Sequence, residues 1–173
     1  MARIAAFDIS KRSTGVACGD ADGPPRSWVA HFDKPTAGGV GAAFSRFAQG
    51  VIKDNDAEVI VYEQALLVAD RNASASTTRL LVGMTFALET VAHVAGVPIY
   101  AVAQQTWRKV FLGHGRPQNP KETCIRMCAS LGWSVDHDDN RADACGVWAW
   151  GQHEHGDRKG LMRLLSKGGI MVR

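Results

Sequence analysis

The chain has 173 residues, 46% of them hydrophobic and 21% charged, which suits one globular domain spanning 1–173 and leaves little room for a two-lobed architecture. Twenty Lys and Arg face 17 Asp and Glu, a formal charge of +3 that by itself points only weakly to a polyanionic partner. No apolar run reaches the roughly 18 to 20 residues of a membrane span, and Asp8 ends the opening apolar stretch well short of a secretory core, so a cytosolic protein without a membrane partner is expected.

Residues 3–8 form a short apolar run ending in Asp8, and residues 14–18 and 27–32 read as two more strands joined by turn residues. The second connection, residues 19–25, is rich in Gly, Pro and Asp, which predicts an antiparallel meander. After Gly38-Gly39, helical spacing of Phe44, Phe47, Ala48, Val51 and Ile52 predicts a helix over 40–53, and residues 58–62 read as a buried strand ending at Glu63. Ser74 or Ser76 can cap a long helix that Gly96 and Pro98 close near Ala95. Its apolar residues cover more than one stripe, as expected of a helix that packs on two sides, one of them toward a partner chain. Residues 98–102 form a fifth strand, and Thr106 can cap a short helix carrying Trp107, Arg108 and Lys109. Asn119-Pro120 opens a helix over 121–131, and Asp139 or Asn140 can cap a last one running to about Gln152. The fold class that follows is α/β, a five-stranded mixed sheet with helices on its faces. The four cysteines follow no zinc-ligand spacing and read as reduced core thiols.

Asp8 and Glu63 each end an apolar strand, where a carboxylate is costly unless it is solvated, hydrogen-bonded or bound to a cation. Asp143 is the third candidate, with Asp139 and Asn140 four and three residues before it and hence on nearly the same helical face. Oxygen ligands from separate elements, without a His or Cys cage, suit a hard cation such as Mg²⁺, with Mn²⁺ as a substitute. Two such ions about 3.5 to 4 Å apart can drive phosphodiester hydrolysis. The same residues also suit plainer roles, since Asp139 or Asn140 can simply cap a helix and Asp8 can begin a turn.

The motifs resemble those of the RuvC family of Holliday-junction resolvases, within the ribonuclease H-like superfamily. Phe7-Asp8-Ile9-Ser10 followed by Ser13-Thr14-Gly15-Val16-Ala17 resembles the family's first motif, Tyr62-Glu63-Gln64 its second, and Asn140-Arg141-Ala142-Asp143-Ala144 its last, in the form closest to bacteriophage-type members. Thr106-Trp107-Arg108-Lys109, Gly113-His114-Gly115 and Lys121-Glu122 follow the order of its basic segment. The resemblance implies a ribonuclease H-like fold and a homodimer in a bacterial or phage-infected cytosol. It further implies a Mg²⁺-dependent endodeoxyribonuclease that resolves four-way junctions and other branched DNA by paired nicks.

Carried over by residue, it implies that Asp8, Glu63 and Asp143 bind metal, with Lys109 and Lys121 near phosphates. Asn140 stands where many bacterial members have a fourth aspartate, so the fourth ligand is either Asp139 or Asn140, with Asp139 favoured for its charge. Leu66-Leu67 replaces an aromatic residue that many bacterial members carry after the second motif. Arg108, Arg116 and Arg126 extend the expected DNA-backbone track of Lys109 and Lys121. Trp107 reads as core, and His137, His153 and His155 as solvated residues that in one reading assist proton transfer. A hybrid-cutting ribonuclease H and a non-catalytic nucleic-acid-binding module remain alternatives. The charge is segregated: residues 104–126 carry five basic and one acidic residue, residues 127–155 one and five, and residues 156–173 five and one. An acidic block holding Asp143 thus lies between two basic ones.

Overall fold

The computed structural model describes residues 2–64 and 74–167. Its elements in chain order are β1 (Ile4–Ile9), β2 (Ser13–Gly19), β3 (Arg26–His31), α1 (Ala37–Asp54), β4 (Val59–Glu63), α2 (Ala75–Ala95), β5 (Ile99–Val102), α3 (Gln104–Leu112), α4 (Pro120–Ser130), α5 (Asp139–His155) and α6 (Arg158–Ser166). The five strands form one sheet in the order β3-β2-β1-β4-β5. β1, β2 and β3 are antiparallel neighbours, as their short connections require, whereas β4 and β5 run parallel to β1 and are reached through helices. The α/β mixed sheet expected from the element order is therefore present.

Strand alternation divides the core in two. Phe7, Val16 and Ile60 face α1 and α2, where Phe44, Met84 and Leu88 complete one layer. Ile4, Ala6 and Val61 face the other way, onto Trp107, Trp148 and Leu161 of α3, α5 and α6. α5 is the central element of that second layer, buried without interruption from Ala142 to Gln152. A helix buried on every side needs small residues to approach its neighbours, and α5 supplies them: a Cβ on Gly151 would stand 3.0 Å from side-chain carbons of Ile4 and Val61. The Trp148 indole and the Gln152 amide both donate to the Gly19 carbonyl, at 3.1 and 3.0 Å, tying α5 to the end of β2.

Three local expectations are corrected. Thr106 lies inside α3, whose N-cap is Ala103, because the helix begins two residues earlier at Gln104. Neither Asp139 nor Asn140 caps α5; Asp138 does, its carboxylate accepting from the Arg141 N–H at 3.0 Å, which frees both later side chains from that duty. The helix runs to His155 rather than Gln152, and α6, capped by Asp157, follows it. Ser74 is the cap of α2, as one of the two expected choices, accepting from the Thr77 N–H at 3.2 Å. Leu66-Leu67 lies outside the described residues. No helix among the described residues is long and apolar enough to cross a membrane.

Candidate functional site

Asp8 and Glu63 come together because β1 and β4 are adjacent and parallel. Phe7 pairs with Tyr62, so the next residue on each strand is a carboxylate at the same sheet end. On its other side Asp8 pairs with Gly15 of β2. A Cβ at Gly15 would lie 2.0 Å from the Asn140 carbonyl oxygen, so this glycine lets the first turn of α5 seat directly beside the Asp8 row. Gly15, read as part of a strand motif, is thus what admits the first turn of α5, with Asp139, to this sheet end.

Arg141 fixes the approach from the other side. It pairs with Asp136, donates through Nη2 to the Ser134 carbonyl at 2.8 Å, and through Nε to the Ser27 hydroxyl of β3 at 3.3 Å. Sequence spacing gives no hint of the tie to β3, because Ser27 lies 114 residues away, while Ser134 and Asp136 belong to the loop just before α5.

The acids repel one another. Burial, then repulsion from Glu63, Asp143 and Asp139, pushes the Asp8 carboxyl well above its ordinary value. Burial is also the main cause that raises Glu63, opposed by the hydrogen bond from Trp107. Asp143, only 8% exposed, is raised chiefly by burial, with the Cys124 thiol and the Arg108 charge acting against it. Its Oδ1 is buried without a hydrogen-bond partner among the described residues. An orphaned, dehydrated carboxylate oxygen beside two further carboxylates is a donor set that fits a hard cation. As placed, no three His, Cys, Asp or Glu side chains among the described residues are close enough to cage an ion. The fit thus rests on ligand chemistry and uncompensated charge, and Asp8, Glu63, Asp143 and Asp139 are the residues that could supply it.

α3 holds Glu63 in place. Trp107 Nε1 donates to Glu63 Oε2 at 2.7 Å and Gln104 Nε2 to Oε1 at 3.0 Å, one donor for each oxygen. The indole reaches this position across α5, where a Cβ on Gly146 would meet Trp107 Cζ3 at 2.4 Å. Trp107 is core, as expected, and it also orients a carboxylate; nothing in local spacing marks Gln104 or Gly146 for that role.

The basic residues divide. Lys121 pairs with Asp139, which lowers the Asp139 carboxyl and raises the lysine, keeping both charged. Lys109, Arg116 and Arg126 are exposed. Arg108 is not part of an exposed track: it is 8% exposed, stacks on Trp107 at 5.1 Å, and lies close enough to Glu63 and Asp143 to lower both carboxyls. Its Nε has no partner among the described residues. His137 is exposed in the loop just before α5, and the other two histidines stay apart from this chemistry. His153 pairs with Glu154 and His155 stacks on Tyr100, at the far end of α5 and about 15 Å or more along the helix from Asp143. The four cysteines are free and buried, as expected.

At the level of sequence, no protein-family model and no curated protein matches the chain. Solved structures do. The chain is similar to Thermus thermophilus RuvC, at 19% identity and a TM-score of 0.64 over 96% of each chain. It is similar also to T. thermophilus RuvC in complex with a Holliday junction substrate, at 13% identity and a TM-score of 0.69 over 90% of this chain and 98% of that one. The yeast mitochondrial Holliday junction resolvase superposes with a TM-score of 0.60 at 10% identity, over 99% of this chain and 82% of its own.

Proposed function

The fold is that of RuvC, a ribonuclease H-like sheet with flanking helices, and on it we propose a structure-selective endodeoxyribonuclease that resolves four-way DNA junctions by paired hydrolytic nicks. The observation that carries this reading is the meeting of Asp8, Glu63 and Asp143 from β1, β4 and α5 at one sheet end, with an orphaned carboxylate oxygen and a lysine beside them. Both junction resolvases among the similar structures support the choice of branched DNA as substrate.

Mg²⁺, or Mn²⁺ in its place, when bound supplies a water nucleophile active near neutral pH and neutralises charge on the leaving oxygen. Asp8, Glu63 and Asp143, whose charges act on one another, would hold the cation. Trp107 and Gln104 keep the Glu63 carboxylate oriented, one donor on each oxygen. Arg108 offsets the repulsion between Glu63 and Asp143 from within the fold. Asp139, one turn before Asp143 on α5, is the favoured fourth ligand, and Asn140 is turned by its backbone toward Gly15. Lys121 holds Asp139 and would offer its charge to a phosphate oxygen of the substrate. Lys109, Arg116 and Arg126 offer exposed charge to the DNA backbone without reading sequence.

Paired nicks need two sites, and α2 offers the surface for a homodimer. Met84, Leu88 and Val91 pack inward while Phe86 and Val94 stand 69% and 78% exposed on the opposite side.

The test compares nicking of four-way, three-way, duplex and RNA/DNA hybrid substrates with and without Mg²⁺. The expected result is Mg²⁺-dependent cutting of the four-way junction, abolished in Asp8→Asn with junction binding retained. Cutting of the hybrid in preference to the junction, or equal activity in Asp8→Asn, would overturn the reading.

A further inference from the structure

The sheet order places β3 and β2 on one side of the acid-bearing strands β1 and β4, and β5 with its following helix α3 on the other. The basic residues expected to meet the DNA backbone, Lys109, Arg116, Lys121 and Arg126, lie on α3, on α4 and on the loop between them. The opposite flank holds a cleft of about 480 Å³ lined by Lys11 and Arg12 from the β1–β2 turn, and His31, Asp33 and Lys34 from the end of β3 and beyond. All five polar residues are exposed. None of the three cations forms an ion pair among the described residues, even though Asp33 shares the cleft. Three positive charges held together against one carboxylate are mutually repulsive, an arrangement that costs folding energy and is relieved by an anion.

The cleft has a fixed relation to the acids. The Phe32 N–H donates to the Arg12 carbonyl at 3.3 Å, and Ser13 pairs with His31, so the β1–β2 turn and the β3 end move as one unit. Gly15, the partner of Asp8, lies three residues along from Arg12. At about 3.3 Å per residue that is roughly 10 Å. A strand with one phosphate at the acid cluster therefore keeps a nearby phosphate of the same backbone within reach of this cleft.

We propose that the cleft of Lys11, Arg12 and Lys34 is a second DNA-backbone site, gripping the duplex arm on the flank of the acid cluster opposite α3. The charges are exposed, come from separate loops and have no buried polar anchor among them, which fits a run of backbone phosphates rather than a small anion held in a closed pocket. The cleft sets how the arm leaves the site, while chemistry stays with the acids. This proposal rests on the reading of the protein as acting on DNA, but binding tests it without cleavage.

The experiment measures affinity for a four-way junction between 50 and 200 mM salt for the wild type, the double variant Lys11→Ala with Lys34→Ala, and Lys53→Ala, an exposed lysine at the far end of α1. Loss of two phosphate contacts makes the slope of log affinity against log salt shallower by about 1.8 and lowers affinity by about tenfold at the low-salt end. Lys53→Ala should match the wild type. A double variant indistinguishable from both, or a wild type that binds no DNA, overturns the proposal. If the slope changes as expected and no branched substrate is cut with Mg²⁺, the nuclease reading falls and the cleft stands.

Discussion

Glu63 illustrates how much of this site is set by single hydrogen bonds. Gln104→Ala removes one of its two donors without touching the packed core, since Gln104 is only half-buried. Outer-shell losses of this kind typically cost about 10 to 100-fold in metal affinity or activity, so a Mn²⁺ titration and a nicking assay should both show a fall in that range. Trp107→Phe should lose at least as much, with some added loss of stability because the indole is fully buried. Trp107 also has a signature of its own: its indole N–H resonance should move when Mg²⁺ is added and be absent in Trp107→Phe. The acid cluster makes a second prediction at this scale. Asp8, Glu63 and Asp143 all have carboxyls raised in the folded protein. The folded state therefore binds protons that the unfolded state has already released, a stabilisation fully present below the unfolded values and lost as pH rises through the folded ones. The melting temperature of the metal-free protein should fall as pH rises above the ordinary carboxylate values of about 4. Asp143→Asn should flatten that decline, and so should added Mg²⁺; a melting temperature that rises over this range would contradict the assignment.

At the scale of elements, α5 decides where the acids meet. Its first turn is fixed by Gly15 beneath it, by the Asp138 cap and by the Arg141 clamp to Ser27, Ser134 and Asp136. Gly15→Ala forces a Cβ into the Asn140 backbone, which cannot yield as a side-chain tip would, so the turn must shift. Overpacking of this sort typically costs about 1 to 3 kcal/mol. Denaturant melts should show that loss, and nicking should fall further than the remaining folded fraction explains. Gly146→Ala acts through a different contact, displacing the Trp107 ring and hence the Glu63 anchor. Its activity loss should resemble that of Trp107→Phe rather than that of Asp143→Asn.

Across the whole molecule, the sheet sorts charge and apolar surface onto separate sides. Acids occupy the β1–β4 end, basic groups lie on both flanks, and α2 carries an apolar stripe with nothing packed on Phe86 or Val94 among the described residues. Phe86→Glu places a charge in the centre of that stripe, which a two-fold interface would meet twice. Sedimentation should report a dimer for the wild type and a monomer for the variant. The variant should also give single rather than paired nicks on a four-way junction. A wild type that sediments as a monomer at micromolar concentration would remove the dimer from the reading.

The order of elements, the meander, the mixed sheet and the acidic ends of two strands were legible in the sequence, because alternation, turn residues and helix stop signals act between near neighbours in the chain. So were Asp8 and Glu63 as candidates, since a carboxylate that closes an apolar run is conspicuous in one dimension, whereas Asp143 was singled out by its helical spacing from Asp139 and Asn140. What brings those acids together was not legible. The α3 donors to Glu63, the Gly15 and Gly146 approaches, the burial of Arg108 and the cleft opposite it depend on contacts between elements from 19 to more than 120 residues apart. A one-dimensional pattern records which side chains are apolar or charged. Only the packed sheet and the crossing of α5 over it decide which of them share a volume, and with it which carboxylate is held, which is orphaned and which cation is buried.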